Sequence, residues 1–259
     1  MMPTPPSRFC QTSDSLLSRI HTLTVYALLS CAVLPTSAVA ASQSMADALI
    51  TLAPTANPQV LKLAADAMSC AEQRGQPLAE RLAVIDYSRP SSQPRLWVFD
   101  LAKQRLLFKE LVAHGRGTGG EQARYFSNVT NSHKSSLGLF RTLAPYQGKN
   151  GYSLRLEGLE PGVNDHAFSR AIVIHGADYV SKKFINSAGR LGRSLGCPAV
   201  RRQVAKPLID SIKHDQYLFA YYPDPTWLKR SAYLGCSTPS LQNTFASAAT
   251  GMPYQGTRP

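Results

Sequence analysis

The chain has 259 residues, 44% of them hydrophobic, and 28 Lys and Arg against 16 Asp and Glu give a net charge of +12. So basic a chain is drawn to anionic polymers or lipid surfaces. Nucleic acid is the other reading of a high pI, but there is no recognition motif, basic helix or aromatic-basic interleaving of the kind that binds strands.

Residues 1–40 carry Arg8 and Arg19, an apolar stretch from about Leu23 to Leu34, and Ala38-Val39-Ala40 before Ala41. This is the pattern of a secretory leader cleaved after Ala40, and the stretch is too short for a permanent transmembrane helix. Leu28-Leu29-Ser30-Cys31 resembles a bacterial lipoprotein box, which makes lipidation of Cys31 the alternative. The apolar run continues past Cys31 and favours the first reading. Removing the leader takes away two arginines and one aspartate, leaving +11, and leaves Cys70, Cys197 and Cys236. An odd count in an oxidising compartment permits one bridge and one free thiol. If Cys70 and Cys236 paired, Cys197 would stay free; the alternative is that all three are reduced. Three cysteines make no disulfide scaffold, so the fold must rest on an apolar core.

Residues 41–80 read as a helical segment. Asn57 suits an N-cap, Pro58 the first turn and Gly75 the stop of an amphipathic helix. A main domain follows over 81–225. Its candidate strands are Leu82–Tyr87, Arg95–Asp100, Arg105–Phe108, Leu111–Ala113, Ser153–Leu156 and Ala171–Ile174. Residues 115–136 read as a long functional loop, 203–214 as a helix and Gln216–Tyr222 as a closing strand. Residues 226–259 read as a disordered tail.

The chemistry concentrates in Ile174-His175-Gly176 and Gly192-Arg193-Ser194-Leu195-Gly196-Cys197-Pro198. A cysteine attacks a carbonyl carbon only as the thiolate, so it needs a base to take its proton. His175, at the end of a buried strand, is the candidate base, with Gly176 letting the chain turn away behind it. The N–H groups of Gly196 and Cys197 are candidates to hold an oxyanion. Ser194 and Arg193 are candidates for contact with substrate. Asp178 is near enough in sequence to orient His175. Tyr146, Tyr152, Arg155 and Arg170 are weaker candidates for positioning a substrate, and His114 is a cleft or structural residue. Each has a plain framework reading beside it. The scattered histidines lack metal-ligand spacing, so neither a metal nor a cofactor is expected.

The His-Gly element followed by Ser-x-Gly-Cys resembles the active-site signature of the L,D-transpeptidase (YkuD-like) catalytic domain family of cell-wall enzymes. Val112-Ala113-His114-Gly115, Phe126-Ser127-Asn128, Ser135–Phe140, Tyr146–Lys149 and Leu154–Glu160 follow the order of its murein L,D-transpeptidase branch, over about residues 81–222. The resemblance implies a mainly β fold, a β-sandwich or open barrel with a short N-terminal helical segment and a few peripheral helices. It implies an exported enzyme of the periplasm or cell envelope, acting on peptidoglycan peptide stems through a Cys197 thioester. It also implies that a backbone carbonyl near Gly176 orients His175. L,D-carboxypeptidase activity and a non-catalytic wall-binding module are the alternatives. Two positions depart from the better-studied branch: Leu195 stands where a histidine precedes Gly-Cys, and Ala199 where Arg or Asn follows. Arg193, Arg201 and Arg202 are candidate substitutes for the lost polar contacts.

Overall fold

The computed structural model describes residues 37–236, with side chains described from Met45 onward. The expected leader lies outside the described residues except for its last four positions, which open helix α1 (Ser37–Leu52). Helix α2 (Pro58–Gln73) runs between the expected signals. The Asn57 side chain accepts from Gln59 N–H at 3.0 Å, Pro58 occupies the first turn, and Gly75 takes a left-handed φ of +83° just beyond the end. The apolar face of α2, with Val60, Leu61, Ala64 and Met68, is buried in the main core.

Nine strands form one sheet: β1 (Arg81–Asp86), β2 (Leu96–Asp100), β3 (Arg105–Glu110), β4 (Val112–Ala113), β5 (Gly138–Gly148), β6 (Gly151–Gly158), β7 (Val173–Ala177), β8 (Ala199–Arg201) and β9 (Tyr217–Tyr221). Their order is β3-β2-β1-β9-β5-β6-β7-β8-β4. The edge strands β3 and β4 are separated in the chain by Leu111 alone, so the sheet must curl until its ends nearly meet. The result is the mainly β, nearly closed barrel that the sequence implied. Its buried hydrophobic core includes Trp97, Phe99, Leu139, Leu154, Leu218 and Phe219.

The longest strand, β5, joins β9 to β6 and was not read from the sequence. Gly138 and Pro145 interrupt its apolar pattern, and the pairing with β6 shifts register between Thr142 and Pro145, where proline is tolerated. Helix α3 (Lys182–Ala188), capped by the Ser181 hydroxyl and ended by Gly189, buries no residue and left no apolar signal. Helix α4 (Arg202–Ile212) lies near its expected place and buries Ala205, Leu208, Ile209 and Ile212.

The expected disordered tail begins too early. Residues 225–230 form helix α5, capped by Asp224, whose Trp227 is buried and donates its indole N–H to Glu160 at 3.1 Å. Beyond it Cys236 is bridged to Cys70 on α2, leaving Cys197 free. A buried aromatic and a covalent tie give this segment the contacts that its composition hides. The rest of the expected tail, from residue 237, lies outside the described residues.

Candidate active site

The placement of the two central candidates follows from strand pairing. In the parallel β7–β8 ladder His175 is opposite Ala199, so Cys197, two residues earlier, enters beside Val173. Cys197 itself precedes β8, set off from it by Pro198, and its thiol lies by the Val173 N–H. His175 and Cys197 both line one cleft of about 660 Å³, with Ser194, Leu195, Arg170 and Tyr179 among its walls.

His175 is 4% exposed, and its ring Nδ1 is 3.1 Å from the Gly176 carbonyl. A carbonyl can only accept, so the proton sits on Nδ1 and Nε2 keeps its lone pair. Burial lowers the imidazole pKa, the Gly176 carbonyl opposes that, and the charge of Arg202 lowers it further. Asp178 does not orient the ring; it forms a two-pronged ion pair with Arg202 at 2.6 and 2.8 Å. Gly176 is no turn either. It lies inside β7, where a Cβ would come within 2.9 Å of the Ala205 Cβ and 3.1 Å of the Arg202 Cα, so its bareness admits α4.

The Cys197 thiol donates to the Ala171 carbonyl at 3.6 Å. Ala171 adopts φ +54°, a left-handed conformation uncommon for a residue with a Cβ. Burial raises the thiol pKa, against which the N–H groups of Val173 and Cys197 and the charge of Arg170 act. At neutral pH the pair therefore rests as thiol and neutral imidazole.

The loop before Cys197 is braced from within and without. Ser194 Oγ donates to the Cys197 carbonyl at 2.6 Å and accepts from Gly196 N–H at 3.1 Å. Ser194 is thus turned into the loop, and the Gly196 N–H proposed for an oxyanion is already committed to it; the Cys197 N–H remains the candidate. Outside, Ser135 Oγ accepts from Gly115 N–H at 3.0 Å and donates to the Gly196 carbonyl at 2.9 Å. A Cβ on Gly115 would stand 2.9 Å from the Gly196 Cα, so the two backbones approach as only glycine allows. Ser135 carried no chemical signal in the sequence beyond its place in a motif.

Arg170, a weak candidate from sequence, has a large structural part. Its guanidinium donates to the carbonyls of Ser127 and Lys134, both at 2.7 Å, and to the Ser136 hydroxyl at 2.6 Å. Arg193 lines the cleft and donates to the Gly119 carbonyl at 3.0 Å. Arg201 pairs with Glu110. Tyr146 lines the cleft and carries the Arg155 guanidinium over its ring, whereas the Tyr152 hydroxyl donates to Asp210 on α4. His114 does not line the cleft: its side chain is buried, fully buried Arg95 donates to its Nδ1 at 2.7 Å, and its carbonyl accepts from the Ser194 N–H at 3.0 Å. Among the described residues no group of His, Cys, Asp and Glu could hold a metal ion, and no helix is long and apolar enough to cross a membrane.

Residues 52–221 match the L,D-transpeptidase catalytic domain, and the chain belongs to that family. Among solved structures it is similar to an L,D-transpeptidase from Mycobacterium smegmatis, at 14% identity and TM-score 0.36, covering 56% of this chain and 59% of that one. It is similar also to one from Stackebrandtia nassauensis, at 11% identity and TM-score 0.35, covering 71% and 79%. A third is L,D-transpeptidase 1 from Mycobacterium tuberculosis, at 10% identity and TM-score 0.32, covering 55% and 62%. The chain thus spans about three fifths of the length of the first and third. No curated protein matches it.

Proposed function

We propose that the protein is an exported murein L,D-transpeptidase that joins peptidoglycan stems through a thioester on Cys197. What supports this reading is that the free Cys197 thiol and the His175 imidazole, whose Nδ1 faces the Gly176 carbonyl, line one cleft.

The chemistry follows from that pair. His175 Nε2 takes the Cys197 proton as the sulfur attacks the carbonyl carbon at the L-centre of the diamino acid in a tetrapeptide stem. The oxyanion is held by the Cys197 N–H. Collapse breaks the C–N bond, and the imidazolium returns its proton to the departing D-alanine amine. The amine of a second stem then attacks the thioester. It loses a proton to His175, the cross-link forms, and the thiolate is reprotonated. The Gly176 carbonyl holds the ring throughout and stabilises its charged form.

Intact-mass spectrometry of the protein mixed with a tetrapeptide stem tests the first half. An adduct of the mass of the tripeptide acyl group is expected on Cys197, with none on Cys197→Ala. Folded, reduced protein that never acquires it contradicts the reading.

A further inference from the structure

We propose that the cleft selects its acyl donor by free carboxylates, with Arg193 and Lys149 as the specificity-determining cations. This rests on the reading of the cleft as a stem-peptide site and adds which stems it takes.

The charged side chains lining the cleft are Lys149, Arg170, Arg193 and Arg202 against Asp178 alone. Arg202 and Asp178 cancel, since both prongs of one meet the carboxylate of the other. Arg170 donates only to carbonyls and hydroxyls, and Arg193 donates to the carbonyls of Arg116 and Gly119. Such acceptors satisfy N–H groups without neutralising the charge. Lys149 is exposed at the turn between β5 and β6. Three positive charges thus line one groove in which Asp178, the carboxylate among its lining residues, is already paired with Arg202, and a groove with protein walls focuses such a field.

The layout narrows the ligand further. Ser153 is opposite His175, so the β5–β6 turn lies toward the Ala177 end of β7, while Cys197 enters beside Val173 at the other. Those ends are separated by about 13 Å at strand rise, the reach of three to four peptide residues. Lys149 stands by the Ala177 end, and Arg193 is on the loop that carries Cys197, next to Gly192, whose N–H donates to the Tyr179 carbonyl at 2.9 Å. Arg193 presents a planar fork suited to a carboxylate. Leu195, 58% exposed on the same loop, offers an apolar contact for a small side chain beside it. The matching ligand is a short peptide with free carboxylates and a small apolar residue near the reacting bond.

The test compares two synthetic tetrapeptide stems, one with free carboxylates and one with every carboxylate amidated, binding to the full chain carrying Cys197→Ala. The free stem is expected to bind at least tenfold more tightly, with the gap narrowing as salt is raised. Lys149→Gln and Arg193→Gln, each added to that background, are expected to shrink the gap several-fold. Lys149 is an exposed turn residue, so its variant answers even if Arg193→Gln disturbs its loop. Equal binding of the two stems, or a gap that neither variant changes, overturns the proposal. Wild-type protein that turns over both stems equally removes the selection alone; no binding and no turnover of either removes the stem-peptide reading with it.

Discussion

Arg170 and Cys197 face each other across the backbone of Gly196: a Cβ on that glycine would lie 3.6 Å from an Arg170 nitrogen, and the guanidinium charge acts to lower the thiol pKa. The arginine does two things at once. It gathers the Ser127 and Lys134 carbonyls beside the loop, and it offsets part of the burial that keeps the thiol protonated.

Alkylation of Cys197 therefore tracks a thiol that titrates above its ordinary range. The rate with iodoacetamide is expected to rise through the alkaline region without a plateau near neutrality. Arg170→Gln is expected to move that profile to higher pH, whereas Arg170→Lys, which keeps the charge, moves it less. Superimposable profiles for wild type and Arg170→Gln would remove the electrostatic role.

His114 couples stability to acid. Burial, then the neighbouring Arg95, pushes its pKa down to about 3, against an ordinary value near 6.5. Between those values the unfolded chain binds a proton that the folded one does not, so stability falls as pH falls. The site contributes a slope approaching about 1.4 kcal/mol per pH unit in that window. Denaturant titrations at pH 7 and pH 4 check this: His114→Gln is expected to be less stable at pH 7 and to lose less on acidification. An unchanged acid slope contradicts the assignment.

The Cys70–Cys236 bridge spans 166 residues of sequence and ties the last described residue to α2. Serine at both positions is expected to cost about 2–4 kcal/mol while leaving Cys197 alkylation intact. Thermal melts with and without reductant, beside peptide mapping, give both readouts.

Gly176→Ala pushes on Ala205 and on the Arg202 backbone, because the new methyl arrives inside normal contact distance. A loss of about 1–3 kcal/mol is expected, with activity impaired beyond it as β7 carries His175 out of place. Melting temperature and turnover, measured together, separate the two effects.

What could be read from residues alone follows the strength of local signals. Leu82–Tyr87, Arg95–Asp100 and the aromatic run near Tyr217 are apolar and β-branched or aromatic, and each is a strand. Asn57, Pro58 and Gly75 punctuate α2 clearly. By contrast β5 hides behind Gly138 and Pro145, and α5 lies in a stretch anchored by isolated residues such as Trp227 and Tyr233 and by a cysteine that pairs with a distant partner. In the candidate site, His175 and Cys197 are the residues whose own chemistry the sequence displays. Arg170, Ser135 and the left-handed Ala171 act through carbonyls and hydroxyls that only the folded chain brings within reach. For the same reason the capture of Gly196 N–H by Ser194 reversed a plausible assignment.

The most direct measurement is mass spectrometry of the products formed from tetrapeptide muropeptides by the wild-type protein, with Cys197→Ala and His175→Gln in parallel. Cross-linked dimers that require both residues are predicted; trimmed tripeptides alone would make water the acceptor. Turnover that persists in folded Cys197→Ala would contradict the thioester account outright.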